Sequence, residues 1–266
     1  MRRLRRLIEK RSLRWSERIC VIEGPDLVDA ALAHGAEFEA IYVDAALMVP
    51  SALAALVERA GHGGVRVFGL APGVLEGVAD ARTPQPVLGA IRLPLSEVAN
   101  IEVTGLTLVL HDLRDPGNVG TIIRSADASG ATAVVMTGQS VDPFNPKVLR
   151  ATAGSIFRVA VAVCDLSAAL DHFSGGGARV VGTTVHGGTA LRHVDFRPPT
   201  VVVIGNEATG LNRETLDRCD ETLSIPMAGQ CESLNAAVAA SLIAFEALAQ
   251  RSNLFVSAPR PSLEGL

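Results

Sequence analysis

Four clusters of polar residues are spaced so that they could do chemistry. The first is Asp115-Pro116-Gly117-Asn118-Val119-Gly120, a turn-rich run that opens a helix, with Arg124 one helical turn further on, on the side of Gly120. Free backbone N–H groups at a helix start attract anions. The run lacks both the Gly-x-Gly-x-x-Gly fingerprint and the lysine of a phosphate-binding loop, so neither standard nucleotide motif fits. The second is Asn145-Pro146-Lys147 followed by Arg150-Ala151-Thr152-Ala153-Gly154-Ser155, where Lys147 and Arg150 share one helix face in a way that suits a phosphate backbone. The third is Glu207 inside Gly205-Asn206-Glu207-Ala208-Thr209-Gly210, directly after the apolar run Val201-Val202-Val203-Ile204. A carboxylate at the end of a strand can hold a ribose hydroxyl, a cation or an arginine. The fourth is Ser233-Leu234-Asn235, which opens a long Ala-rich helix.

Each of these residues also has an ordinary structural role available. Asn118 fits a turn or an N-cap, and Ser233 fits a helix cap. Arg124, Lys147 and Arg150 fit a solvated surface, and Glu207 a loop carboxylate. Asn235 is the hardest to explain that way, since Asn is a poor helix former and follows a residue already suited to capping.

The elements that must position these groups alternate between helix and strand. In the first part of the chain, the apolar spacing predicts helices over 4–18, 26–34 and 51–60, and strands over 20–22, 40–43, 65–68 and 87–91. This makes a compact α/β unit over residues 1–95. Residues 96–105 read as a linker. A second α/β run spans 106–252, with strands over 106–111, 133–136, 159–163, 179–184, 201–204 and 222–225. Its helices are expected over 121–129, 148–153, 167–173 and 233–251. The stripe Leu234, Val238, Leu242, Phe245 and Leu248 is expected to face the core. Residues 253–266 carry two prolines and read as a loose tail. Apolar runs that end in such loops mark the ligand edge of a parallel sheet.

The chain has 266 residues, 48% of them hydrophobic and 20% charged, enough for one large or two ordinary domains with a substantial core. No apolar stretch reaches the ~18 residues of a membrane span. The start of the chain lacks the apolar segment of a secretory signal, so a cytoplasmic location is expected. Cys20, Cys164, Cys219 and Cys231 are scattered, with no zinc-type spacing, and read as small core residues; no metal is expected. The net charge of −4 is uneven. Residues 1–18 carry seven Arg and one Lys against two Glu, so the remainder carries −10. A basic arm on an acidic body suits local contact with a polyanion.

Taken in order and with their spacing, these clusters resemble the motifs of the SpoU (TrmH-like) branch of the SPOUT RNA methyltransferases. The first motif is Asn118-Val119-Gly120 with Ile122-Ile123-Arg124-Ser125-Ala126. The second is Ile204-Gly205-Asn206-Glu207-Ala208-Thr209-Gly210-Leu211. The third runs from Ile225-Pro226-Met227 through Ser233-Leu234-Asn235-Ala236-Ala237-Val238-Ala239. The likeness covers roughly residues 105–250. It departs at Ala208-Thr209, where many members have Gly-Glu. Residues 1–95, with Glu23-Gly24-Pro25-Asp26-Leu27-Val28, are similar to the L30e-like substrate domain of the branch that modifies ribosomal RNA.

The resemblance implies a Rossmann-like parallel sheet with a C-terminal trefoil knot, beside a smaller α/β domain. It implies S-adenosylmethionine as cofactor, held near Thr183, Gly205, Asn206, Gly210, Ile225, Met227 and Leu234. It implies methyl transfer to a ribose 2'-hydroxyl, with Arg124, Asn118, Glu207, Ser233 and Asn235 as catalytic residues. RNA, ribosomal RNA foremost, is the implied partner, gripped by Arg2, Arg3, Arg5 and Arg6 of the arm and by Lys147 and Arg150. The family works as homodimers, and no membrane is involved. The competing readings are a tRNA 2'-O-methyltransferase, a non-catalytic RNA-binding or ribosome-assembly protein on the same fold, and a nucleotide-dependent oxidoreductase, which the missing glycine fingerprint disfavours.

Overall fold

The computed structural model describes residues 1–45, 51–75, 77–78 and 85–252. The expected tail over 253–266 and the Thr83-Pro84 part of the loop before the strand at 87 lie outside the described residues.

The N-terminal unit is built on a four-stranded mixed sheet. Its elements are α1 (Arg2–Glu9), α2 (Arg11–Glu17), β1 (Ile19–Glu23), α3 (Pro25–Ala33), β2 (Phe38–Asp44), α4 (Ser51–His62), β3 (Val67–Leu70) and β4 (Val87–Arg92). The strand order is β1-β4-β2-β3, with β4 antiparallel to both neighbours and β3 parallel to β2 at the edge. The single helix expected over 4–18 is instead two. Lys10 adopts an extended conformation (φ −112°, ψ 109°), which interrupts the helical turn and folds α2 back beside α1. Cys20, Ile22, Ile41, Val43 and Ile91 face α3 and α4; Ile19, Val21, Leu88 and Ala90 face Leu4, Leu7 and Ile8 of α1.

The second unit holds a seven-stranded sheet, β5 (Leu106–His111), β6 (Ala133–Thr137), β7 (Ala160–Val163), β8 (Arg179–Thr183), β9 (Thr189–Ala190), β10 (Thr200–Ile204) and β11 (Glu221–Ser224). All pairs are parallel and the order is β7-β6-β5-β10-β8-β11-β9. Its helices are α5 (Pro116–Ala128), α6 (Pro146–Thr152), α7 (Leu166–Gly175), α8 (Arg213–Leu216) and α9 (Ala236–Arg251). The strands are buried on both faces, and period-2 alternation divides them cleanly. Leu106, Leu108 and Leu110 point to one face with α5, α6 and α9, while Val109, Val135, Val201 and Val203 point to the other with α7. This is the α/β architecture with a parallel sheet that the sequence implies. Neighbours β5 and β10 are where the strand order changes direction, so a crevice opens beyond their C-terminal ends.

Two helix starts depart furthest from expectation. α5 begins at Pro116, five residues before the expected start, because Asp115 caps it by accepting from Asn118 N at 2.8 Å and Pro116 suits the first turn. Asn118 and Gly120 are therefore helical. α9 begins at Ala236, because Asn235 and not Ser233 is its cap: Asn235 Oδ1 accepts from Ala237 N and Val238 N. The core side of α9 is also different. Ala236, Ala237, Ala240, Ile243, Ala244 and Ala247 are buried, whereas Val238, Leu242 and Phe245 are 48%, 45% and 42% exposed. Small residues let α9 lie close to α5, where Ser241 Oγ and Ser125 Oγ share a 2.7 Å hydrogen bond, and this turns the larger residues outward.

The two units share one continuous buried cluster. At its centre Arg14 of α2 pairs with Asp142 of the β6–α6 loop at 2.6 Å, both side chains only 3% exposed. Arg14 Nη1 also donates to Leu7 O and Ile8 O, and Asp142 Oδ1 accepts from Trp15 Nε1 and Phe144 N. Every charged atom there is satisfied, as a buried ion pair requires. The cysteines are all free; Cys20 is buried, Cys164 and Cys219 are half-buried, and Cys231 is exposed, against its expected place in the core.

Candidate active site

The crevice beyond β5 and β10 is lined by the loops that follow the strands. A cavity of about 510 Å³ lies between the Gly205–Leu211 loop, the end of β8, Leu223 and Ile225 of the β11 edge, and the 232–234 segment that leads into α9. Its walls are mixed: Ile204, Leu211, Leu223, Ile225, Ala236 and Ile243 supply apolar surface, and the polar groups include Thr183, Glu207, Glu232 and Ser233. That balance suits a ligand with a flat apolar part and a charged end.

The Gly205–Gly210 loop keeps its shape through Asn206. The Asn206 amide Nδ2 donates to Asp112 O at 2.9 Å, and its Oδ1 accepts from Ala208 N and Thr209 N. Gly210 N closes the loop onto Asn206 O, and Gly210 has φ +65°. A side chain on Gly205 would meet the backbone of Gly210 and Leu211 at 2.5–2.6 Å, so only glycine lets the loop double back here. The loop is folded by the backbone amides of Ala208, Thr209 and Gly210 together with the Thr209 hydroxyl, which also donates to Asn206 Oδ1.

Three of the sequence-derived polar residues join in one chain of hydrogen bonds. Asn235 Nδ2 donates to Asn118 Oδ1 at 2.9 Å, and Asn118 Nδ2 donates to Glu207 Oε1 at 3.0 Å. The cap of α9, the first turn of α5 and the β10 loop are thereby tied together. Glu207 and Ser233 line the cavity, while Asn118 and Asn235 are not among the lining residues. Thr183, Gly205, Asn206, Gly210, Ile225, Met227 and Leu234 all line it. The Thr183 hydroxyl itself donates to Val203 O at 3.0 Å.

Arg124 is apart from this chain. It is exposed on α5, is not a lining residue, and makes no hydrogen bond or ion pair among the described residues. Gly120, one turn before it, is packed against α6: an added Cβ would sit 2.4 Å from Ala151 Cβ and 2.9 Å from Val148 O. α6 in turn lies on β1 of the N-terminal unit, and its Arg150 pairs with Glu23 at 3.2 Å. Arg150 thus stands at the seam between the units, while Lys147 is exposed. In the arm, Arg3 bridges Glu17 and Glu39 and Arg5 pairs with Glu9, whereas the exposed Arg2 and Arg6 have no ion-pair partner among the described residues.

Sequence reasoning missed Asp112, whose backbone carbonyl anchors Asn206 and which adopts the left-handed conformation (φ 59°). Its position just beyond β5, and the tolerance of Asp for that conformation, were the available signal. It also missed Glu232, His186 and Ile243 in the cavity wall, which carry no distinctive spacing.

Comparison with known proteins agrees with this geometry. Residues 105–245 match the SpoU rRNA Methylase family, and residues 1–89 match the MRM3-like substrate binding domain. A Bacillus subtilis protein named 23S rRNA (guanosine(2553)-2'-O)-methyltransferase RlmP is 32% identical over 85% of this chain and 86% of its own. A Streptomyces viridochromogenes protein named 23S rRNA (uridine(2479)-2'-O)-methyltransferase is 40% identical over 63% of this chain and 61% of its own. The crystal structure of the SpoU methyltransferase AviRb from Streptomyces viridochromogenes, in complex with the cofactor AdoMet, superposes with a TM-score of 0.85 at 29% identity, covering 94% of this chain and 97% of that one.

Proposed function

Because the chain belongs to the SpoU rRNA methylase family, we propose that it transfers a methyl group from S-adenosylmethionine to a ribose 2'-hydroxyl of ribosomal RNA. The observation that carries this reading is the Asn235–Asn118–Glu207 chain, which joins the three family motifs and reaches the cavity through Glu207. The relatives named above, both acting on 23S rRNA riboses, and the match of residues 1–89 to a substrate binding domain support ribosomal RNA as substrate.

The cavity fits the cofactor. Its volume of about 510 Å³ is within the ~300–1,000 Å³ of sites for ligands of this size. The doubled-back Gly205 loop offers backbone rather than side chains to an adenine edge, and Glu207 and Glu232 offer negative charge near a cationic centre. When bound there, S-adenosylmethionine supplies an activated methyl on a sulfonium. We assign Thr183, Gly205, Asn206, Gly210, Ile225, Met227 and Leu234 to its binding.

The residues of this chain then have to hold the ribose in line and manage its proton. A free guanidinium keeps its proton throughout the physiological range and is a poor base. Arg124 therefore orients the 2'-hydroxyl and stabilises the developing alkoxide. Asn118 and Asn235 hold Glu207, and with Ser233 they fix the ribose against the cofactor. Arg2, Arg3, Arg5, Arg6, Lys147 and Arg150 belong to the RNA-facing side in this reading, with Arg150 and Arg3 also ordering the N-terminal unit through Glu23, Glu17 and Glu39.

Two further features belong to the same reading. The exposed Val238, Leu242 and Phe245 stripe of α9 supports a homodimer, which would bring a partner's surface against the exposed Arg124. The return of α9 from β11, far across the sheet, to pack on α5 and β5 supports the trefoil knot. Free cysteines and a ribosomal substrate support a cytoplasmic location, and no described helix is long and apolar enough to cross a membrane. The test is transfer of a labelled methyl from S-adenosylmethionine to purified rRNA, tRNA and DNA. Label in rRNA alone is expected; label in tRNA alone, or in none, contradicts the assignment.

A further inference from the structure

We propose that Tyr42 and Phe68 form a stacking platform for an unpaired RNA base, at the open edge of the N-terminal sheet and remote from the methyl-transfer site. The proposal rests on the RNA reading above and adds the kind of RNA that the N-terminal unit grips.

Aromatic residues make up only 4% of this chain, and its single tyrosine lies on β2 directly opposite Phe68 on β3. The two rings are stacked, with centroids 5.5 Å apart and planes inclined by 20°. β3 is the edge strand, so nothing in the sheet continues beyond Phe68. The rings lie on the face that α1 covers. Leu4, Leu7 and Ile8 pack over β1 and β4, and Tyr42 packs partly against that cluster, but Phe68 at the edge stays 44% exposed. One ring is thus anchored in the core and the other presents a π-face to solvent.

Charged groups of both signs lie beside the ring pair. Arg66, directly before β3 and two residues from Phe68, is exposed; its guanidinium donates to Glu39 O at 3.2 Å. Arg3 of α1 pairs with Glu39, and Arg3, Arg66 and Glu39 are the charged groups that act on the Tyr42 phenol. Arg3 and Arg66 together balance Glu39 and Glu17, and the exposed Arg2 and Arg6 of α1 have no ion-pair partner among the described residues. An exposed aromatic face with arginines close by is what unpaired nucleotides use, with the base stacking and the cations taking the phosphates. A protein partner fits less well. Phe68 and Met1 are the large hydrophobics exposed among the described residues of this unit, far short of the ~800 Å² that a standard protein interface covers on each side.

The experiment compares the full-length protein with Phe68→Ala, Phe68→Leu and Phe68→Trp. It measures binding to a single-stranded oligoribonucleotide and to a blunt duplex of the same sequence at fixed salt, and methyl transfer to rRNA. Base stacking predicts that Ala and Leu weaken single-strand binding roughly 5- to 100-fold and that Trp retains it. Duplex binding, cofactor affinity and kcat should stay as in the wild type, with the loss on rRNA in KM. If Leu binds the single strand as well as Phe does, or if Ala weakens single strand and duplex equally, the platform is overturned while the RNA reading stands. If the wild type neither binds nor methylates any RNA, both fall together.

Discussion

Asn235 Nδ2 lies 2.9 Å from Asn118 Oδ1, joining residues 117 positions apart in the chain. The same Asn235 caps α9 through Oδ1, so one side chain both starts a helix and reaches across to another. Asn118 passes the contact on to Glu207. An asparagine amide has both donors and an acceptor, which is why this residue type can sit in the middle of such a chain. Replacing Asn118 with Ala is expected to lower methyl transfer about 100-fold, the scale of a small misplacement of reacting groups. Cofactor affinity, measured by calorimetry, should fall far less than the rate, because Asn118 reaches the cavity only through Glu207. Loss of both in parallel would make it part of the cofactor site instead.

Arg124 is exposed and without a partner among the described residues, so its removal has little to disturb in the fold. Arg124→Ala should leave thermal stability within about 0.5 kcal/mol of wild type. It should lower kcat on the order of 10²–10³-fold, as removal of a stabilising donor does. Lys at this position keeps the charge but not the fork and should recover only part of the rate. Full activity in the Ala variant contradicts the role given to it.

Gly120 is where α5 and α6 touch most closely. Gly120→Ala places a methyl 2.9 Å from the Val148 carbonyl, a backbone atom that cannot simply rotate away. A destabilisation of about 1–3 kcal/mol is expected from urea unfolding, with a fall in kcat because α5 also carries Asn118 and Arg124.

The Arg14–Asp142 pair holds the two units together inside a shared core. Asp142→Ala leaves a guanidinium buried without its counter-charge and should cost about 3–5 kcal/mol. The double variant Arg14→Met with Asp142→Leu should be markedly less damaging, since it removes both charges. Equal stability losses in the two variants, measured by denaturant unfolding, speak against the pair as the reason.

Leu242 lies in the middle of the exposed α9 stripe. Leu242→Glu should convert a dimer to a monomer in light scattering and lower methyl transfer at the same time. A wild-type chain that is monomeric at assay concentration removes the dimer from the account.

Much of this was legible in the sequence, for physical reasons. Val201–Ile204 and Leu106–Leu110 are fully buried stretches of a parallel sheet, and such strands read as unbroken apolar runs. The loops after them were visible because glycine and asparagine punctuate them. The errors cluster where one contact overrides a local pattern. Asp115 and Asn235 take the caps that the apolar spacing gave to later or earlier residues. The α9 stripe reads as core by periodicity, but alanines on the opposite face allow the closer approach to α5 and win. The buried Arg14 could not be told from its solvated neighbours in the arm, because its partner Asp142 is 128 residues away.

The most direct test of the central claim is nucleoside mass spectrometry and site mapping of rRNA after incubation with the purified protein and S-adenosylmethionine. A 2'-O-methyl group blocks alkaline cleavage at its own nucleotide, so the position and the atom are read together. The account predicts a single ribose 2'-O-methylation in rRNA, lost with Arg124→Ala. A methyl group found on a base, or on no RNA at all, contradicts it.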